Sequence, residues 1–204
     1  MITIVDIGGG NLGSIENMLR KLGYVPSISA DPNVIDTAEK IILPGVGAFD
    51  HGMRSLRERN LEAVLRDKVL AQKTPVLGIC LGMQMLGLAS EEGDEPGLGW
   101  IAARSRRFGG ESWDPRLKVP HMGWNAVRNV GDNPLLAGID SPRYYFVHSY
   151  HVVCDDPATA CGLTLYGGEF ASMVRQDNIF GVQFHPEKSH RFGFALFRNF
   201  LGQC

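Results

Sequence analysis

The sequence predicts an α/β fold with a mostly parallel central sheet and flanking helices. Three observations predict it. Apolar, β-branched runs alternate with helical periodicity through the first half of the chain. Glycine-bearing turns close the first, third and fourth of those runs. The second half is then richer in strands than in helices. Strands that alternate with helices form βαβ units, and such sheets bind ligands at the carboxyl ends of their strands.

Each element follows from a local signal. Ile2–Ile7 is an apolar, β-branched first strand. Gly8-Gly9-Gly10 ends it, and Asn11–Leu22 has helical spacing of Leu12, Ile15, Met18, Leu19 and Leu22 before Gly23 stops it. Val25–Ser29 and Lys40–Leu43 read as the second and third strands. Pro44-Gly45-Val46-Gly47 follows the third. Helical patterns cover Met53–Arg59 and Leu61–Ala71. Val76–Ile79 is the fourth strand, with a helix over Leu81–Leu88 behind it. Further strands are expected at Ala102–Phe108, Ala126–Asn129, Tyr144–Val147, Tyr150–Val153, Leu163–Leu165, Ala171–Arg175 and Ile179–Val182, as a mixed or antiparallel continuation. Ser189–Leu201 closes the chain as an amphipathic helix.

No Pro/Gly/Ser linker divides the 204 residues, so residues 1–204 are read as one domain. A net charge of −2 gives no basis for a nucleic-acid footprint. Apolar runs are strand-sized, and Met1–Asp6 lacks the basic segment and cleavage site of a signal peptide. Of the four cysteines, none forms a C-x-x-C pair, and no metal site is expected. Cys154 and Cys161 read as small hydrophobes in a reduced compartment, with the cytoplasm the default location.

Cys80 carries the chemistry. It lies in Gly78-Ile79-Cys80-Leu81-Gly82-Met83-Gln84, on a strand-to-helix turn. A helix N-terminus favours a thiolate, and nearby glycines permit a strained backbone. The Leu81 N–H is then an oxyanion donor, with a second expected from Val46 or Gly47. Far along the chain, Phe184-His185-Pro186-Glu187 supplies a base with an acidic partner two residues away. In an extended segment both side chains point the same way, so Glu187 can fix the imidazole tautomer. His51, His121, His148 and His190 lack an acid at that spacing, and nothing directs His151 towards Cys80. Gly8-Gly9-Gly10-Asn11-Leu12-Gly13 matches a dinucleotide loop, but only Asp31 loosely meets the required acid at the second strand. It is read instead as a loop that meets a substrate or partner.

Pro44–Gly47, Gly78–Gln84 and Phe184–Glu187 together resemble the three signatures of class I, triad-type glutamine amidotransferases, which have a flavodoxin-like fold. Asp6–Leu12 with Ser14-Ile15, Pro120-His121-Met122-Gly123-Trp124-Asn125 and Tyr145–Tyr150 are similar to the glutaminase subunits of imidazole glycerol phosphate synthases. Ile7 departs from that pattern, where an aromatic residue is common. The resemblance implies glutamine hydrolysis through a Cys80 thioester, with His185 and Glu187 completing the triad. It implies substrate contacts from Gln84, Glu92, His148, Ser149 and Tyr150, the last three through backbone groups. No cofactor is implied. It implies a (β/α)8-barrel cyclase partner that uses ammonia to form imidazole glycerol phosphate and an aminoimidazole carboxamide ribotide, in histidine biosynthesis. Asn11, Met122, Trp124, Tyr145 and Lys188 would lie at or near the partner face, and ammonia would pass directly between subunits. An oxyanion loop completed only when the partner holds its ligand would limit wasteful hydrolysis.

Three alternatives remain open. The chain could feed anthranilate, aminodeoxychorismate or pyridoxal phosphate synthesis. It could be a stand-alone cysteine hydrolase of γ-glutamyl compounds. It could be a non-enzymatic module that binds nucleotides through Gly8–Gly13.

Overall fold

A computed structural model describes residues 1–109, 114 and 116–204. Its first half follows the expected alternation: β1 (Ile2–Val5), α1 (Leu12–Lys21), β2 (Ser27–Ser29), α2 (Pro32–Asp36), β3 (Lys40–Gly45), α3 (Phe49–Glu58), α4 (Leu61–Arg66), β4 (Val76–Cys80) and α5 (Leu81–Met85). A π-helical turn at Asp67–Ala71 extends α4. The second half contributes β5 (Ala89–Ser90), β6 (Ala103–Arg107), β7 (His121–Ala126), β8 (Arg128–Asn129), β9 (Arg143–His148), β10 (Tyr150–Cys154), β11 (Ala160–Leu165), β12 (Glu169–Gln176), β13 (Ile179–Val182) and α6 (His190–Gln203).

The main sheet runs β2-β1-β3-β4-β13-β12-β10-β6-β5, with β11 and β8 branching from β12. Its first five strands are mutually parallel. From β12 onward the pairings are antiparallel, except β5 with β6. A separate ribbon pairs β7 with β9. One apolar cluster, with Ile4, Leu77, Phe146, Phe184 and Phe197, lies under α1, α6 and the ribbon; the other, with Leu43, Phe49, Leu65 and Met83, lies under α3, α4 and α5. Both faces of β1, β3, β4 and β13 are therefore covered, which is why those strands read as largely apolar runs, whereas β2 (Ser-Ile-Ser), at the sheet edge, stays partly exposed.

Several boundaries differ from expectation for physical reasons. β1 ends at Val5 because the Asp6 carboxylate turns the chain, accepting from the Gly8 N–H at 2.7 Å. β2 begins only at Ser27, after Pro26, which has no N–H to donate. α2 is an additional helix, with Asp31 as its cap and Pro32 in its first turn. The helix behind Cys80 stops at Met85 rather than Leu88: Leu98 and Trp100 donate to the carbonyls of Met85 and Leu86 and draw the chain towards β5. Ala126–Asn129 is not one strand. Ala126 ends β7, and Arg128-Asn129 pairs separately with β11.

β7 escapes the usual pattern because its polarity is inverted. His121 is buried, whereas Met122 and Trp124 are 65% and 42% exposed. A strand that turns its large apolar side chains outward gives no ordinary core signal.

Candidate active site

Three parallel strands deliver the site. β3 and β4 end in register, Gly45 opposite Cys80. β13 lies on the other side of β4 with Val182 opposite Ile79, so the residues after Val182 run alongside Cys80. Cys80 has φ 55° and ψ −110°, a left-handed backbone that costs energy in a non-glycine residue. Gly82 makes the turn possible, because a Cβ there would sit 1.8 Å from the Leu43 carbonyl oxygen. The first turn of α5 is thus pressed onto β3, with Leu81 immediately behind the sulfur.

His185 reaches Cys80 from the end of β13. Its Nδ1 bonds to Glu187 Oε1 at 2.8 Å, and the Cys80 sulfur and the Glu187 carboxylate both act on the ring's charge. A carboxylate only accepts, so Nδ1 carries a proton in either charge state of the ring, and Nε2 is the nitrogen left for the sulfur. Burial alone would lower the imidazole pKa. Hydrogen bonds and charge from Cys80 and Glu187 outweigh it, raising His185 to about 10. The contact with Glu187 forms, though not through an extended segment: Pro186–Lys188 is a 3-10 turn, and its tight coil swings the carboxylate back beneath the ring. Ser189 locks that turn. Its hydroxyl donates to the His185 carbonyl at 2.6 Å and accepts from the Tyr145 N–H at 3.0 Å.

A cavity of 510 Å³ opens over the sulfur, lined by Val46, Gly47, Cys80, Leu81, Gln84, Glu92, His148, Ser149, Tyr150 and His185, with Pro120 and Lys188 at its edge. The expected oxyanion and substrate residues are therefore brought together. Glu187 stays beneath, its side chain 2% exposed. Gln84 donates to the Tyr150 carbonyl at 3.2 Å and to Gln183 Oε1 at 3.0 Å. This leaves its own carbonyl oxygen for a ligand. Glu92 Oε2 accepts from the Phe49 N–H at 2.9 Å, which anchors the start of α3 just beyond the Val46–Gly47 loop. Its other oxygen remains available to a cation. Among the described residues, no cluster of His, Cys, Asp and Glu could hold a metal ion.

Three side chains near the site escaped the sequence reading. Gln183 lies against the sulfur, Ser189 holds the histidine turn, and His121 supports His148. His121 Nδ1 lies 3.0 Å from His148 Nε2, and His148 Nδ1 lies 2.7 Å from the Tyr150 carbonyl. The carbonyl only accepts, so His148 carries its proton on Nδ1 and accepts from His121. Burial lowers His121 to about 4 and His148 to about 3; in His148, the Tyr150 bond works against burial, while the other histidine charges add to it. Parity could have found Gln183, which is two residues before His185 and so faces the same way at a strand end.

Met122, Trp124, Asn11 and Lys188 are exposed, and Tyr145 is half-buried. Trp124 sits opposite Tyr145 in the β7–β9 ribbon and stacks on His190, with ring centroids 5.7 Å apart. The Lys188 ammonium lies 5.8 Å over the Tyr145 ring. Asp31, by contrast, caps α2 by accepting from the Asn33 N–H at 2.9 Å, and so is engaged away from the Gly8–Gly13 loop. Cys154 and Cys161 are unpaired, and burial raises their thiols to about 11 and about 12.

A strained cysteine at a strand-to-helix turn, beside a carboxylate-held histidine, is an arrangement that suits thiol-dependent acyl transfer. The chain belongs to the glutamine amidotransferase class-I family, which matches residues 3–204. It is 52% identical to the imidazole glycerol phosphate synthase subunit HisH 2 of Pseudomonas aeruginosa, over 98% of each chain. It is 50% identical to the corresponding HisH 2 subunit of Methanococcus maripaludis, over the full length of both. In fold it is similar to a crystal structure of a glutamine amidotransferase (TM-score 0.76, 20% identity, 98% of this chain and 97% of that one). The structure of PurLQS from Thermotoga maritima gives a TM-score of 0.73 at 20% identity, covering 98% of this chain and 96% of that one.

Proposed function

We propose that this chain is the glutaminase subunit of an imidazole glycerol phosphate synthase in histidine biosynthesis. It hydrolyses glutamine and passes ammonia to a separate cyclase subunit. The observation that carries the reading is Cys80 and His185 lining one cavity with Glu187 holding the ring from beneath, in a chain so similar to those synthase subunits along its whole length.

His185 Nε2 takes the Cys80 proton, and the sulfur attacks the side-chain amide carbon of glutamine. Glu187 stabilises the imidazolium and holds its tautomer. Leu81 N–H and an N–H of the Val46–Gly47 loop receive the oxyanion. Each such donor contributes roughly 3–4 kcal/mol in the transition state. His185 returns its proton to the leaving nitrogen, and ammonia departs from a γ-glutamyl thioester. Water then attacks, with His185 as base, and glutamate leaves. Gln84 Oε1 and Glu92 receive the polar groups of the substrate, and the His148–Tyr150 backbone aligns its chain.

Ammonia in bulk water at neutral pH is mostly protonated and a poor nucleophile, which favours direct transfer. The face formed by Asn11, Met122, Trp124, Tyr145 and Lys188 suits a (β/α)8-barrel cyclase, because aromatic anchors with one cation are typical of an interface centre. A cytoplasmic location follows from that pathway. The test measures glutamate release by the purified chain, alone and with a candidate cyclase and its nucleotide ligand. Release should depend on Cys80 and rise with the partner. Full turnover without any partner would instead point to a stand-alone hydrolase.

A further inference from the structure

We infer that Gln183 is a catalytic residue, donating a side-chain hydrogen bond to the Cys80 sulfur that stabilises the thiolate and holds it in line with His185. The inference rests on the reading of Cys80 as the nucleophile. Gln183 is wholly buried, and its Nε2 lies 3.7 Å from Sγ.

The direction of this amide is determined by its neighbours. The Tyr150 carbonyl can only accept, so Gln84 must present its NH2 group there. The same NH2 group meets Gln183 at 3.0 Å, which requires the Gln183 oxygen at that point. The Gln183 NH2 group is then left facing the sulfur. Reversing it would set two NH2 groups against each other and turn a carbonyl oxygen towards a thiolate. One backbone carbonyl thus orients two amides in series.

The backbone of Gln183 is equally fixed. Its N–H donates to the Ser172 carbonyl at 2.9 Å, and the preceding Val182 pairs with Ile79. The strand therefore brings Gln183 to the sulfur from one side and His185 two residues later.

An N–H donor favours the charged form of its acceptor over the neutral one. The Gln183 amide cannot take the thiol proton itself, because a carboxamide is far too weak a base and the group facing the sulfur is its NH2 donor. The S–H proton passes to His185 Nε2, and the sulfur keeps the electron pair that bonds to the amide carbon. As the C–S bond forms, the sulfur loses charge and the amide lets go of it without any transfer of its own.

The test follows iodoacetamide labelling of Cys80 in the full chain across pH 5–10, read by mass spectrometry on the Cys80 peptide. Gln183→Met removes the donor at similar volume. Gln183→Glu keeps the shape but does not donate when ionised. In both, the midpoint of the labelling rate should move up by about one unit. With partner present, kcat for glutamine hydrolysis should fall about tenfold, with KM within about twofold. Circular dichroism identifies which variant is folded, and either one decides. An unchanged midpoint in a folded variant overturns the role of Gln183 while leaving Cys80 as nucleophile. Glutamine hydrolysis that survives Cys80→Ala overturns the nucleophile itself.

Discussion

Glu187 accepts from His185 Nδ1 at 2.8 Å, and this one bond decides which ring nitrogen is left for Cys80. Two residues apart in the chain, they meet because a 3-10 turn, secured by Ser189, curls the carboxylate under the ring. Replacing Glu187 by Gln allows the amide to donate to Nδ1 and place the ring proton on Nε2, facing the sulfur. Glutamine hydrolysis by Glu187→Gln should lose on the order of 10²–10⁴ in kcat with KM little changed. Steady-state glutamate release checks this, and a loss confined to KM would refute the tautomer argument.

Acid should destabilise the fold through His121 and His148. Both have folded pKa values, about 4 and about 3, well below the ordinary 6.5. Between those values the unfolded chain binds more protons, so their contribution is complete above pH 6.5. It is lost as pH falls towards 4 and then 3. The loss should reach at least about 2 kcal/mol by the lower end. Denaturant unfolding from pH 7 to 4 measures it, and a His121→Gln/His148→Gln double variant should give a flatter profile.

Gly82→Ala should be severe. Its methyl would lie 1.8 Å from the Leu43 carbonyl oxygen, where neither backbone can yield without moving the Cys80 turn. A loss of about 3 kcal/mol or more is expected in chemical denaturation. A stability equal to wild type would show that the turn has room this structure does not reveal.

Lys40 closes the end of the chain. Its ammonium donates to the carbonyls of Phe200 and Leu201 at 2.9 and 2.8 Å, and to that of Cys204. Those of Phe200 and Leu201 belong to the last turn of α6, at the negative end of its dipole. Lys40→Met should cost about 1–2 kcal/mol and raise hydrogen exchange in the last turn of α6. Unchanged exchange there would exclude the lysine as its cap.

Trp124 should anchor the partner. It is 42% exposed and already stacked on His190, so little entropy remains to be lost on docking. Trp124→Ala should weaken cyclase binding about 30-fold, as an interface anchor of about 2 kcal/mol would. Calorimetric titration with the cyclase measures the change.

Much of this was legible in sequence because it is local. The βαβ alternation, the glycines around Cys80 and the His-Pro-Glu string each announce themselves within a few residues. What escaped was either inverted or supporting. β7 hid because Met122 and Trp124 point outward. Gln183 hid because an amide at a strand end has no signature until its neighbours are known. Ser189 carries no motif of its own, and His121, though inside the Pro120–Asn125 string, acts through a hydrogen bond to another residue that the string does not record.

By itself the sequence determined the βαβ alternation of the first half, the turn at Cys80 and the proposed triad residues, since these depend on backbone sterics and side-chain chemistry over short spans. Only the tertiary structure decided that β13, arriving from the far end of the chain, would lie parallel to β4 and in register with it. That pairing is chosen by which apolar faces bury one another, and no local signal records it. From it follow the placement of His185 and Gln183 on the Cys80 sulfur and the gathering of the cavity around them.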